Sequence, residues 1–231
     1  MWDVARDEIW VAAEGRSFFS WEMSERIKFT RFINTLHPDD REPTRRAINR
    51  SLEHGDDYFA EYRVVSLDGV TRWVGARGGA EFGDNGKPLR MRGIAIDITE
   101  RKRGEEALRE SEERFRVMAN TAPVMIWMAG TDKLCTFFNK GWLDFTGRAL
   151  EQELGNGWVE GIHREDLDRF LLAYGKAFDL REEFTAEYRF RSSDGEYHWV
   201  LNKAAPRFGS DGIFLGYIGS CIDITERKQA E

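Results

Sequence analysis

Two pairs of adjacent carboxylates are the side chains whose types and spacing could support acid–base chemistry. Asp39 and Asp40 form the first pair, and Glu165 and Asp166 form the second. Paired carboxylates can act as general acid and base. However, each pair comes directly before a predicted helix, where acidic side chains interact favourably with the helix dipole. We therefore interpret both pairs as structural.

The sequence contains none of the common catalytic motifs. The patterns G-x-x-x-x-G-K-[ST], H-E-x-x-H, G-x-S-x-G and C-x-x-C are absent. The glycine-rich stretch at 155–161 opens no helix of a βαβ unit, so we interpret it as a loop. We predict that the chain is not an enzyme and has no catalytic or metal-binding residues.

Composition excludes several classes of partner and location. A net charge of −7 disfavours nucleic-acid binding, which needs a basic surface. No apolar run approaches the roughly 20 residues that span a bilayer, and the N-terminus does not have the pattern of a signal peptide. Cys135 and Cys221 are too few for a disulfide framework. We expect a cytoplasmic chain with reduced thiols.

The chain repeats itself at an offset of 126 residues. The heptapeptide IDITERK occurs at 96–102 and again at 222–228, and 25 of the 69 residues at 37–105 are identical to those at 163–231 without a gap. Two copies of one domain account for this identity.

The second half of each copy predicts three antiparallel strands. Apolar and polar residues alternate over 184–191, as in a strand with one buried face. The Asp-Gly pairs at Asp68–Gly69 and Asp194–Gly195 predict hairpin turns. Turns at 84–86 and 210–212 then lead into the third strand, which ends at the heptapeptide.

Other segments have helical spacing or the pattern of an early strand. Apolar residues three and four apart over 167–178 predict an amphipathic helix, and a shorter helix is expected at 140–145. A strand is expected at 133–138. The segment 99–120 has no Pro and is rich in Glu, Arg, Ala and Leu, which favours a linking helix.

In this order and spacing, the chain resembles two tandem PAS domains with their PAC segments. The motifs that support the resemblance are the stretch NKGWLDFTG at 139–147, the His-x-x-Asp turns at 37–40 and 163–166, and the repeated E-Y-R, D-G, W-V and DITERK. The implied fold is α+β: two domains, each with a five-stranded antiparallel sheet and helices on one face, joined by a long helix. The implied role is sensory input in a bacterial signalling protein such as a sensor histidine kinase or a diguanylate cyclase.

The expected domain boundaries follow from this resemblance. They are a first PAS/PAC domain at 1–98 with its N-terminal strand and cap truncated, a helical linker at 99–120, a second domain at 121–226, and the stub of an output helix at 227–231. We expect the chain to be a fragment of a longer protein that carries the output domain.

Related PAS cavities hold haem, flavin, small organic acids or nothing, so the cofactor stays open. The cysteines lie on strands rather than on a central helix, which disfavours a covalent flavin photoadduct. Haem is disfavoured because the helix at 167–178 has no His, and His37, His54 and His163 are better explained as turn or surface residues.

Non-covalent flavin or another small ligand could bind in the second copy, although the aromatic residues there could equally fill the core. The candidate pocket residues are Trp127, Phe137, Asn139, Trp142, Phe145, Trp158, Tyr188, Trp199 and Asn202. In the first copy, the small residues at 75–80 could open space for a ligand or admit another surface.

The strand-to-helix junctions are the predicted sites of signal transfer. We expect the Asp to accept hydrogen bonds or pair with the nearby Arg, and the Thr to cap the helix. The residues are Asp97, Thr99 and Arg101 in the first copy and Asp223, Thr225 and Arg227 in the second.

Three interpretations of function follow. The first is a sensory module that forms a homodimer through the linker helix, with Leu108 and Phe115 at seven-residue spacing, and through sheet surfaces. The alternatives are a ligand-free scaffold for dimerisation or docking, and a flavin-based redox sensor.

Overall fold

The computed structural model describes residues 1–19, 21–22, 24–66 and 69–230. Its contacts divide the chain into two compact units, Met1–Arg109 and Glu110–Glu231, which we call the first and second units. The predicted turn at Asp68 lies partly outside the described residues.

The first unit is an antiparallel sheet with helices between its second and third strands. The sheet order is β2-β1-β5-β4-β3. The elements are β1 (Trp2–Asp3), β2 (Glu8–Ile9), α1 (Ala13–Phe19), α2 (Phe29–Thr35), α3 (Pro38–His54), β3 (Tyr58–Val65), β4 (Thr71–Phe82) and β5 (Pro88–Asp97). Helix α4 (Thr99–Thr121) follows β5 after one residue.

The second unit repeats this arrangement, with the sheet order β7-β6-β10-β9-β8. A 3-10 turn at Gly157–Gly161 precedes its long helix. The elements are β6 (Met125–Ala129), β7 (Cys135–Phe138), α5 (Lys140–Thr146), α6 (Leu150–Glu153), α7 (Arg164–Leu180), β8 (Phe184–Arg191), β9 (Tyr197–Phe208), β10 (Phe214–Asp223) and α8 (Thr225–Ala230).

The cores form where the sequence periodicities place apolar side chains. In β8 every second side chain turns inward, so Phe184, Tyr188 and Phe190 are buried. In α7, Phe170 and Tyr174 are buried four residues apart and face the sheet. The predicted α+β class with two five-stranded antiparallel sheets is confirmed.

The turns follow the predicted chemistry. Gly195 has φ +88°, the left-handed conformation that a tight hairpin needs after Asp194. His37 and His163 precede α3 and α7, and the side chain of each accepts a backbone N–H two residues later. Both histidines therefore act as helix caps, consistent with their interpretation as turn residues.

The described residues include neither a helix that could span a membrane nor a side-chain cluster that could hold a metal ion. No helix in that part of the chain is long and apolar enough to cross a membrane. The same residues contain no group of three or more His, Cys, Asp or Glu side chains that could hold a metal ion.

Candidate functional site

Each acidic pair binds an arginine of its own unit. Asp40 accepts two hydrogen bonds from the Arg63 guanidinium, at 2.9 Å from Nε and 2.8 Å from Nη2. These bonds lower the pKa of Asp40 despite its partial burial. Asp166 accepts equivalent bonds from Arg189 at 2.9 and 3.2 Å. Each pair thus ties the start of a long helix to the neighbouring strand, which agrees with the structural interpretation.

The strand-to-helix junction of the first unit is held by two short hydrogen bonds. Asp97 Oδ1 accepts the Thr99 backbone N–H at 2.8 Å, which satisfies a donor at the start of α4. Thr99 Oγ1 accepts the Trp73 N–H at 3.0 Å from strand β4. Asp97 accepts a hydrogen bond as expected, whereas the role expected of the Thr99 hydroxyl needs correction. Asp97 satisfies the helix donor, and the Thr99 hydroxyl binds the adjacent strand because Trp73 lies beside it.

Two cations of α4 bind one carboxylate on β3. Glu61 accepts Arg101 Nη2 at 2.6 Å and Lys102 Nζ at 2.7 Å. Lys102 Nζ also lies 5.2 Å from the centre of the Trp73 ring, and the Arg63 guanidinium lies 5.5 Å from it. Arg101 contacts Glu61 and Glu105, so of the two roles expected for Asp97 the structure shows the hydrogen-bond acceptor and not the partner of Arg101.

We call this set of contacts the exit network. It connects α3, β3, β4 and the helix that leaves the sheet. Its members in the first unit are Asp40, Glu61, Arg63, Trp73, Asp97, Thr99, Arg101 and Lys102.

The second unit builds the same exit network from the repeated motifs. Asp223 Oδ1 accepts the Thr225 N–H at 2.8 Å, and Thr225 Oγ1 accepts the Trp199 N–H at 2.9 Å. Glu187 binds Arg227 and Lys228 at the start of α8. The repeated E-Y-R, W-V and DITERK motifs therefore make the same contacts between the sheet and the start of the following helix in both units.

The second exit network also includes a histidine, His198, which the first network lacks. His198 Nδ1 lies 2.7 Å from Asp223 Oδ2, and its Nε2 lies 3.2 Å from Asp194 Oδ2. The hydrogen bond with Asp223, and then that with Asp194, raises the pKa of His198. The repeat places Arg72 at this position in the first unit, where it donates to Ser66 Oγ at 3.1 Å. At this repeat position the first junction has an arginine, which stays charged, whereas the second has a histidine, whose charge depends on pH.

Four of the nine predicted pocket residues line a small core cavity in the second unit. The cavity has a volume of about 10 Å³, the space of about one water molecule. Trp158 and Tyr174 line it, and each has a buried polar atom without a hydrogen-bond partner in the described part of the chain. The predicted residues on its wall are Trp127, Trp158, Tyr188 and Asn202.

The other five predicted residues lie elsewhere. Asn139 is fully buried and caps α5, and all of its amide atoms are bonded to backbone. Trp142 donates to the buried Glu153 carboxylate at 2.9 Å. Phe137 packs on Phe115. The remaining two are Phe145, which stacks on Phe190 and contacts His198, and Trp199, which contacts Arg189 and Lys228.

A much larger cavity lies in the first unit, between the sheet and helices α1, α2 and α3. Its volume is about 420 Å³, within the range of small-molecule sites. Aromatic rings form much of its wall, among them Trp2 stacked on Phe29 at 4.6 Å and Phe19 stacked on Trp21 at 4.3 Å. None of the nine predicted pocket residues of the second copy borders it, but Ala76 and Arg77 of the stretch 75–80, where space for a ligand was one of two interpretations, do.

Residue size at equivalent repeat positions explains the difference between the units. Ile48, Ala76, Met91 and Ala95 border the large cavity. The positions 126 residues later hold Tyr174, Asn202, Tyr217 and Cys221, and all four are buried. Both sheets have the same register, with Ala76 opposite Ala95 and Asn202 opposite Cys221. The second unit therefore fills with side chains the space that the first leaves open.

Comparison with known proteins agrees with this architecture. The family model described as PAS fold matches residues 20–95 and 136–221, one segment in each unit. A protein of Sinorhizobium fredii, y4lL, is 39% identical over 87% of this chain, which covers 24% of that protein. The peroxide stress-activated histidine kinase mak1 of Schizosaccharomyces pombe is 27% identical over 96% of this chain, which covers 14% of it.

A solved structure also matches at low overall similarity. The sensory box histidine kinase/response regulator of Burkholderia thailandensis is 35% identical, covers 50% of this chain and 86% of its own, and gives a TM-score of 0.44. The chain spans about a quarter or less of the length of the two curated relatives. Because the family model matches one segment in each unit and together these exceed half of the chain, the chain belongs to the PAS-fold family, with two copies of the domain in tandem.

Proposed function

We propose that this chain is a tandem sensory module in which the first unit binds a small molecule and the exit networks pass its state to an output domain. The observation that carries the proposal is the cavity of about 420 Å³ in the first unit. Its walls are mostly apolar and aromatic, as in sites that bind small organic ligands. The filled core of the second unit supports a transmitting role for that unit rather than a binding role.

The exit network gives a physical route for transmission. In the first unit, β4 and β5 border the cavity through Ala76 and Ala95, and the same strands carry Trp73 and Asp97. A ligand that shifts these strands would alter the hydrogen bond between Trp73 and Thr99, and with it the direction of α4. In this mechanism, ligand binding changes the direction of α4 because it alters contacts of the exit network.

The output domain in this proposal is a histidine kinase of the same polypeptide, in the cytoplasm. The support is the likeness to the S. pombe relative, whose name states that it is a peroxide stress-activated histidine kinase. In this proposal the chain is the input part of a longer protein. The signal is the molecule that binds in the cavity of the first unit.

The module is further proposed to work as a homodimer through α4 and a sheet surface. Leu108 and Met118 on α4 are exposed, as are Phe59, Ile94 and Ile96 on the outer face of the first sheet. Exposed apolar groups of this kind favour an interface. Sedimentation equilibrium should show a dimer that Leu108→Lys weakens, whereas Leu172→Lys, a change at another exposed leucine, should not. A monomeric wild-type chain would contradict this part of the proposal.

The residues around the cavity do not fit a covalently bound flavin or a haem bound by histidine. A covalent flavin adduct needs a reactive cysteine, but Cys135 and Cys221 both lie in the second unit, and burial raises the pKa of each thiol to about 12. A histidine ligand for haem is not supplied either. His37 caps α3, His54 is exposed at its end, and neither borders the cavity. Non-covalent flavin stays within the range of ligands that the cavity could accept.

The test is the output of the full-length protein that contains this chain. Asp97→Ala and Thr99→Ala remove the acceptors of the exit network, so we expect both to change kinase autophosphorylation at equal protein concentration. Thr71→Val, at an exposed threonine of β4, is the matched control. Unchanged output in both exit variants would contradict transmission through this network. A ligand-free scaffold would be favoured if filling the cavity with Ile48→Tyr also left output unchanged.

A further inference from the structure

Two largely buried tyrosines, Tyr58 and Tyr62, line the large cavity, and no protein group binds their hydroxyls within the described part of the chain. Tyr58 is 8% exposed and Tyr62 is 2% exposed, and both line the cavity. Neither hydroxyl makes a hydrogen bond to any residue in the part of the chain that the structure describes. Buried tyrosines usually find a partner for the hydroxyl. Neither oxygen is among the described side-chain atoms that are both shut off from solvent and unpaired, so a small molecule in the cavity can reach them.

At the equivalent positions of the second unit, whose core is filled, neither side chain has a hydroxyl without a protein partner. Phe184 occupies the position equivalent to Tyr58 and has no hydroxyl to satisfy. Tyr188 is equivalent to Tyr62, and its hydroxyl lies 3.8 Å from Cys221 Sγ. The first unit has Ala95 in place of that cysteine. The small residue that opens the cavity therefore also removes the partner of Tyr62.

The hydroxyls can act as donors to a ligand. Burial raises the pKa of Tyr58 and of Tyr62 well above that of a free phenol. Both side chains therefore stay protonated at any physiological pH, and each can donate one hydrogen bond. A carbonyl oxygen or a ring nitrogen is a suitable acceptor.

The charged groups at the cavity are at its border and not inside it. Strand alternation turns Arg77 and Arg92 away from the face that carries Ala76 and Met91, and both arginines are exposed. Arg92 is already paired with Glu81 at 3.1 Å. The ammonium group of Met1 donates to the Trp10 carbonyl at 2.9 Å. An anion buried among the aromatic rings would lack a compensating cation, which is costly.

We infer, on the basis of the proposed binding role of the first unit, that its ligand is a neutral, flat ring compound with a carbonyl or ring-nitrogen acceptor that binds the Tyr58 and Tyr62 hydroxyls. The stacked pairs Trp2–Phe29 and Phe19–Trp21 provide flat apolar surfaces for the ring.

Three fluorescent probes separate the elements of this inference. N-phenylnaphthylamine is neutral, and anilinonaphthalene sulfonate has the same ring system with an added anionic group. Prodan is neutral and carries a carbonyl. With the whole chain, we expect saturable binding of both neutral probes and at least tenfold weaker binding of the sulfonate.

Tyrosine variants test the hydrogen bonds. Tyr58→Phe or Tyr62→Phe should weaken prodan binding by about fivefold, the value of one ordinary hydrogen bond. The same variants should leave the affinity for N-phenylnaphthylamine within twofold. Equal affinity of the sulfonate and its neutral analogue would refute neutrality. Prodan binding that neither tyrosine variant alters would refute the acceptor.

Filled variants distinguish failure of this inference from failure of the proposed function. Ile48→Tyr and Ala95→Cys introduce the residues that the second unit has at these positions, and Ala76→Val is a smaller alternative; circular dichroism and melting verify folding. We expect all three probes to lose saturable binding in the folded variants. Wild-type protein that binds no probe, or filled variants that bind as well as wild type, would show that the cavity is not a ligand site at all.

Discussion

Replacing Thr99 with valine removes one atom of the exit network at nearly constant volume. Its Oγ1 accepts the Trp73 N–H at 3.0 Å in a half-buried setting. Valine has no oxygen, so the backbone donor of Trp73 loses its acceptor. A fully buried donor left without a partner costs about 1–3 kcal/mol, and partial exposure to water places this case near the low end, at about 1 kcal/mol. For a unit of this size, that loss lowers the melting temperature by roughly 4–8 °C.

Differential scanning calorimetry measures this effect in the whole chain. Thr71→Val is the matched control, because Thr71 is exposed on the same strand and its hydroxyl has no hydrogen-bond partner among the described residues. The repeat offers an internal check, since Thr225→Val removes the equivalent bond to Trp199 at 2.9 Å. We expect Thr99→Val to lower the transition of the first unit and Thr225→Val that of the second. Equal melting temperatures for Thr99→Val and Thr71→Val would refute the role of this bond.

Three further predictions follow from the titratable groups. Hydrogen bonds with Asp223 and Asp194 raise the pKa of His198 above its usual value of 6.5. Its stabilising contribution is therefore complete below about pH 6.5 and is lost as pH rises through the higher folded value. Melting curves of the second unit should show this loss in wild type but not in His198→Arg, and parallel curves for the two proteins would contradict it. The hydrogen bonds from Arg189 lower the pKa of Asp166 below its usual 3.8. Its contribution is thus present above about pH 3.8 and is lost as pH falls through the folded value. Acid unfolding of Asp166→Asn should lack this component, and identical acid profiles would argue against the pair. Burial raises the pKa of the Cys135 and Cys221 thiols to about 12, so both should resist iodoacetamide at neutral pH until the chain is denatured; mass spectrometry that detects rapid native labelling would overturn this expectation.

Much of the fold could be predicted from the repeat and from side-chain periodicity. The alternation over 184–191 and the helical spacing over 167–178 predicted β8 and α7, whose observed bounds are Phe184–Arg191 and Arg164–Leu180. These signals are strong because one face of each element is buried. The exact partners at the junction were harder to predict. Which strand N–H reaches the Thr99 hydroxyl depends on sheet register, which the local sequence does not specify.

The candidate pocket was only partly predictable, because aromatic content does not distinguish a wall from a filled core. Trp199 was proposed as a wall residue, yet Val200 and Asn202 are buried on the other face of the same strand. Period-two alternation therefore assigns Trp199 to the outer face. For the open cavity of the first unit, the small residues at 75–80 left two interpretations open, and a further signal in the sequence could have decided between them. Comparing residue sizes across the repeat, such as Ile48 with Tyr174 and Ala95 with Cys221, would have indicated it.

Amide hydrogen exchange of the whole chain, followed by NMR with and without saturating prodan, tests the central claim most directly. Ligand binding in the first unit should change the exchange rates of the Trp73 and Thr99 amides, which donate to Thr99 Oγ1 and Asp97 Oδ1. It should also slow exchange in the strand segments around Ala76 and Ala95. The account predicts that the same measurement on Ile48→Tyr shows no response to prodan at any of these amides. It would be contradicted if prodan protected the cavity strands while the Trp73 and Thr99 amides exchanged at unchanged rates.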